Sequence, residues 1–186
     1  MKKKTLILLT ALVVLCLLMA GTLAYFTQEE IAHNVITSGA IDIELIEKAI
    51  KDGKEVDFED VEGIMPGMDI SKIVKIENTG DSDAFVRIKL GYKVVLADGT
   101  EVEPDESLVK IDFDDANWTW TDGNIWYYNK PLKSGETTPP LFTTVAFSTA
   151  IGNDYQGAKF TIDVSAQAVQ AANNGTDPAA AAGWPA

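Results

Sequence analysis

The chain has 186 residues, 46% of them apolar, enough for one domain-sized core beside a targeting segment. Its formal net charge is -13, and because Lys2, Lys3 and Lys4 are the only charges before Glu29, the remainder carries 12 basic against 28 acidic residues. Such a surface repels nucleic acid and anionic lipid, which excludes a nucleic-acid role and leaves divalent cations and cationic cell-wall polymers as electrostatically compatible partners.

At the N-terminus, three lysines precede an uncharged apolar run from Thr5 to Ala20 and the small-residue stretch Gly21, Thr22, Leu23, Ala24, which is the tripartite plan of a secretory signal. Thr22 and Ala24 suit the -3 and -1 positions. Residues 1–24 are therefore expected to form a signal helix, cut after Ala24 or Tyr25. The alternative is an uncleaved membrane anchor, because the uncharged stretch continues to Gln28 and a bilayer needs roughly 20 residues of helix. Cys16, the one cysteine, lies in the apolar run behind Leu15, where it suits neither lipidation nor redox chemistry. A cleaved product thus has no cysteine, and packing alone must hold its fold outside the cell.

Residues 25–39 follow as an extended segment, moderately apolar through Phe26, Ile31, Val35 and Ile36. Released as a new N-terminus, such a segment is expected either to complete its own sheet or to dock into the sheet of a neighbouring copy, as in donor-strand complementation. A flexible leader without a role is the alternative.

From residue 40 onward the apolar residues recur with period two, the pattern of half-buried strands. Ile41, Ile43 and Leu45 alternate with Asp42 and Glu44. Val86, Ile88, Leu90, Tyr92 and Val94 alternate with Arg87, Lys89 and Lys93; Phe160, Ile162, Val164, Ala166 and Ala168 alternate with Thr161, Asp163, Ser165 and Gln167. Shorter bulky or β-branched runs cover 70–78, 108–113, 118–121, 125–129 and 141–147, for eight to ten strands in all. Asp52-Gly53, Pro66-Gly67, Asp98-Gly99 and Asp122-Gly123 supply the backbone angles of tight turns. Asp177-Pro178, four alanines and Gly183 read as one short capped helix. The expectation is an all-β protein: a two-sheet antiparallel sandwich, jelly-roll-like, over residues 40–172, with a tail over 173–186.

Candidate chemistry is sparse. His33 is the single histidine, and a zinc hydrolase of the H-E-x-x-H kind needs two, with a glutamate to activate water. No base accompanies a serine, and no glycine-rich phosphate loop is present. Asp57, Glu59 and Asp60, and Asp112, Asp114 and Asp115, are carboxylate groups of the loop-solvating kind; the second trio is the candidate for calcium, with no other cofactor expected. Trp118, Trp120, Trp126 and Tyr128 flank the turn at 121–124 and are a candidate platform for sugars or a partner. Trp118 and Trp120 share one face of their strand, as do Trp126 and Tyr128 of theirs, and at least one of these faces is expected to be core.

Beyond pattern, the junction Gly21-Thr22-Leu23-Ala24-Tyr25-Phe26-Thr27 running into Asn34-Val35-Ile36-Thr37-Ser38-Gly39-Ala40-Ile41-Asp42-Ile43 resembles the start of the TasA/camelysin family. Pro66-Gly67, the stretch 75–80, Asp83-Ala84-Phe85-Val86-Arg87-Ile88, Trp126-Tyr127-Tyr128-Asn129, the stretch 132–136, Ala168-Val169-Gln170-Ala171 and the closing Trp184 are similar to it further along. The resemblance implies a jelly-roll domain exported with the help of a dedicated signal peptidase to the cell surface or biofilm matrix, some members forming fibres. The name camelysin also implies a metallopeptidase, which one histidine does not support. Three readings follow, in order: a fibre-forming structural protein that self-associates and contacts wall or matrix components, a surface binding module, and a metal-dependent peptidase.

Overall fold

The computed structural model describes residues 34–37 as backbone, and 41–59, 61, 65–102, 105, 107–152, 155 and 157–185 in full. The expected signal helix, the cleavage residues Ala24 and Tyr25, and Phe26, Ile31 and His33 lie outside the described residues.

Among the described residues twelve strands run in chain order: β1 (Asn34–Thr37), β2 (Ile43–Lys51), β3 (Lys54–Asp57), β4 (Asp69–Ser71), β5 (Ile73–Asn78), β6 (Ala84–Val95), β7 (Glu101–Val102), β8 (Val109–Ile111), β9 (Trp118–Thr121), β10 (Ile125–Tyr128), β11 (Thr144–Phe147) and β12 (Lys159–Gln170). The first layer has the order β1-β12-β6-β10-β9, with β7 added to β6. The second is built of two ladders, β3-β2-β5 and β4-β11-β8. They join because β5 continues from β4 past Lys72, and residues 136–143 run beside β5 before entering β11: Thr138 N donates to Ile76 O, Leu141 N to Val74 O and Val74 N to Phe142 O. The protein is therefore the all-β antiparallel sandwich that the alternation implies. The pairing of β1 with β12 is parallel.

Alternation works because one side of each layer faces the other. Ile41, Ile43 and Leu45 of the β2 segment, Val74 and Ile76 of β5, Val86, Ile88 and Leu90 of β6, and Val164, Ala166 and Ala168 of β12 all enter one core, closed by Phe142 and Phe147. The hairpins follow from turn chemistry. Asp52 and Gly53, with φ of 53° and 74°, join β2 to β3 in a two-residue turn whose central positions are both left-handed. Pro66-Gly67 makes a turn closed by Met68 N to Met65 O, Asp98-Gly99 joins β6 to β7, and residues 122–124 join β9 to β10.

One expectation needs correction. Arg87 and Gln167, placed by alternation on a wet face, are 8% and 3% exposed. The reason is the tail, which folds back over the outer side of the first layer: Ala181 and Trp184 pack on Phe85 and Val169 to form a second, smaller core. The short C-terminal helix is a single 3-10 turn, Pro178–Ala180, whose first free amide is capped by Asp177 Oδ1 accepting from Ala179 N at 3.0 Å.

The segment similar to the family's centre is a structural knot. Asn78 is fully buried between β5 and β6; its Nδ2 donates to Ser82 O and Leu132 O, each at 2.9 Å, and its Oδ1 accepts from Gly80 N. Gly80 lies against the start of the β2 segment, where an added Cβ would stand 2.8 Å from Asp42 N. Only glycine fits that approach.

Candidate functional site

The candidate assembly segment ends in β1. Its four residues pair in register with Ser165, Ala166, Gln167 and Ala168 of β12, so that an N-terminal strand closes the edge of the sheet beside the last strand of the chain. Val35 and Ile36 are its two central positions. On its other side β12 makes the longest ladder of the fold, twelve residue pairs with β6. The edge that receives β1 thus belongs to a long continuous ladder, while β1 itself is short and, among the described residues, pairs as a strand with β12 alone. At the far edge of the same sheet lies β9, which among the described residues pairs only with β10.

The four aromatic residues of the candidate platform are brought together by the β9–β10 hairpin. Its register sets Trp126 opposite Trp120 and Tyr128 opposite Trp118, so all four share the inner side of the layer. Trp118, Trp126 and Tyr128 are core, 1%, 6% and 4% exposed. Phe113 stacks on Trp126 with centroids 4.2 Å apart, and Trp118 tilts against Tyr128 at 5.4 Å. Trp120, near the hairpin tip, is 53% exposed. These residues therefore form no open platform; Trp120 alone among the four reaches solvent substantially.

The three candidate calcium ligands do not converge. Asp112 accepts from Thr143 N at 2.8 Å, Thr144 N at 2.7 Å and Thr143 Oγ1, which pins the entry of β11 to the end of β8. Partial burial opposes ionisation of its carboxyl, but the bonds from the Thr143 hydroxyl and from the two amides outweigh it and hold the carboxyl below the usual carboxylate range. Asp114 accepts from Ala116 N and Asn117 Nδ2 and shapes the turn into β9, and Asp115 is exposed. In the other acidic group, Asp57 pairs with Lys48 across the β2–β3 hairpin, and that bond and charge lower its carboxyl; Asp60 is outside the described residues.

One cluster escapes sequence reasoning. On the outer side of the first layer the Arg87 guanidinium donates to Gln167 Oε1 at 2.6 Å, Tyr127 Oη at 2.9 Å and Pro185 O at 2.6 Å. The Trp184 ring lies over it at 4.6 Å and meets Tyr127 edge-on. Its partners are neutral, so the charge is held by hydrogen bonds and an aromatic face. The only signal in the sequence is a lone tryptophan in a tail otherwise of small residues.

A family model described as camelysin metallo-endopeptidase matches residues 1–133. The chain belongs to the camelysin family. No curated protein and no solved structure matches it. The camelysin match ends before β11 and β12, although β12 carries both β1 and the main ladder. The family's description implies a metal. Among the described residues no three His, Cys, Asp or Glu side chains gather, and the Asp112 carboxylate is already occupied by three protein donors. The described donor set does not fit a peptidase metal centre.

Proposed function

We propose that this camelysin-family chain is an exported structural protein of the cell surface or matrix, which assembles into fibres by lending its N-terminal strand to a neighbouring copy. The observation that carries the reading is the position of β1, an edge strand from the start of the chain, parallel to β12 and outside the continuous β6–β12 ladder. An edge that accepts a strand from its own chain presents the same backbone donors and acceptors to an identical strand from another. Head-to-tail repetition of that exchange is heterologous and need not close, so it propagates as a filament. The signal-like residues 1–24 supply the route of export, and the acidic surface keeps unassembled subunits soluble.

The test is negative-stain electron microscopy of residues 25–186 beside a variant lacking residues 25–37. Filaments in the first and folded monomers in the second are expected. Filaments of unchanged number and length in the deletion variant overturn the strand exchange. A second reading, a surface binding module, is favoured by the exposure of Trp120; saturable glycan binding lost in Trp120→Ala supports it. Casein cleavage abolished both by a chelator and by His33→Ala would instead restore the peptidase reading.

A further inference from the structure

Where the two ladders of the second layer meet, an ion pair is shut away from water. The side chains of Glu47 on β2 and Lys72 at the break between β4 and β5 are 7% and 8% exposed, and Lys72 Nζ stands 2.5 Å from Glu47 Oε1. That is closer than the roughly 2.7–2.9 Å of an ordinary charge-assisted hydrogen bond. The contact is one of charge and proximity, and it is not aligned as a hydrogen bond. The Phe58 ring covers the ammonium, with Nζ 3.9 Å from its centroid. Both backbones are fixed: Glu47 pairs with Val74 in the β2–β5 ladder, and Lys72 N donates to Thr143 O at 3.0 Å.

Holding two opposite charges in such a place carries a desolvation penalty for each ion, against which only their mutual attraction counts. Passing one proton from the ammonium to the carboxylate removes both charges at once. What remains is a neutral amine, a nucleophile, touching a carboxylic acid, an electrophile. Enforced contact between such groups is equivalent to effective concentrations of about 10⁵ M or more.

We propose that Lys72 and Glu47 are the two ends of an intramolecular isopeptide bond. The proton moves from Nζ to a Glu47 carboxylate oxygen, and the freed lone pair on Nζ attacks Cδ to form the C–N bond. The protonated oxygen then leaves with a second proton from the nitrogen, as water. An ammonium and a carboxylate become an amide and one water; no oxidant, reductant or cofactor enters. The product carries no charge, so the desolvation penalty vanishes. It also ties β2 to the β4–β5 junction and closes the stretch from 47 to 72, which includes β3 and Phe58. A chain whose one cysteine lies at position 16 gains by this route the covalent brace that other extracellular domains obtain from disulfides.

The experiment is intact-mass spectrometry of the full chain, purified folded and then denatured, with the N-terminus determined on the same sample. The expected mass is lower than the sequence mass by one water, and a tryptic digest contains a branched peptide joining the segment with Glu47 to the segment with Lys72, without cleavage after Lys72. Lys72→Arg keeps the positive charge, shows the full mass and lacks the branched peptide. Full mass in the unsubstituted protein overturns the proposal and leaves an ordinary buried ion pair, and so does a water loss without the branched peptide. Should Lys72→Arg fail to fold, the mass and the peptide map of the unsubstituted chain still decide.

Discussion

Replacing Trp184 by alanine tests whether the tail is part of the fold or lies on it. The indole donates from Nε1 to Pro178 O at 3.0 Å, meets Tyr127 edge-on at 5.5 Å and lies 4.6 Å over the Arg87 guanidinium. The aromatic pair contributes about 1 kcal/mol, the cation–π contact about 1 kcal/mol and the hydrogen bond about 1 kcal/mol, so the substitution is expected to destabilise the domain by about 3 kcal/mol. With a urea slope of about 2 kcal/mol per molar, the unfolding midpoint falls by about 1.5 M at unchanged slope. Trp120→Ala is the control, because its ring is half in water and its loss is expected to stay within about 0.5 kcal/mol. Equilibrium urea titrations followed by circular dichroism read both. A midpoint for Trp184→Ala within roughly 0.3 M of the parent would show that the second core contributes nothing to the cooperative unit and would refute the account of Arg87 given above.

Gly80→Ala is expected to cost about 2–3 kcal/mol and to lower the thermal midpoint by several degrees, since its Cβ must push Asp42 N away while Thr79 N and Gly80 N both bond Asp42 O. Asp112→Ala removes the acceptor for three donors at the entry of β11 and is expected to destabilise by about 1–2 kcal/mol in the same melts. The pH dependence has a definite sign. The Asp112 carboxyl titrates lower folded than unfolded, so its contribution is complete above about pH 4 and disappears as pH falls through the lower folded value. Asp112→Asn is accordingly expected to flatten the acid limb of a stability curve below about pH 4, and an unchanged limb would contradict the assignment. Trp118→Ala, in the main core, is expected to cost about 3–5 kcal/mol, seen as a collapse of the urea midpoint.

The parts of the fold that were legible in the sequence are those where burial is one-sided. Ile41, Ile43 and Leu45 alternate with exposed Asp42 and Glu44 because water lies on one side and the core on the other. The same rule fails at Arg87 and Gln167, whose side of the sheet is roofed by a tail too rich in small residues to show periodicity. β3 is invisible to periodicity for the opposite reason: all four of its residues are exposed, and only Asp52-Gly53 announces that the chain turns back. The aromatic cluster was visible as composition, but its fate depends on the β9–β10 register, which a three-residue loop sets and a strand pattern does not. The burial of Lys72 and Glu47 follows from the break between β4 and β5, where two ladders meet, and no local feature of the sequence marks it.

The position of β12 between β1 and β6 has a consequence for timing. A chain emerging N-terminus first, from the ribosome or through a membrane, offers β1 no sheet partner, and leaves the β12-facing edge of β6 unpaired, until residues 159–170 have followed. Contacts so far apart in sequence form slowly, because the intervening loop must close before they stabilise anything. For that interval the first strand is a free end beside an unfinished sheet. The number of other chains within reach at the point of emergence then decides whether the strand returns to its own domain or is taken up by the next one.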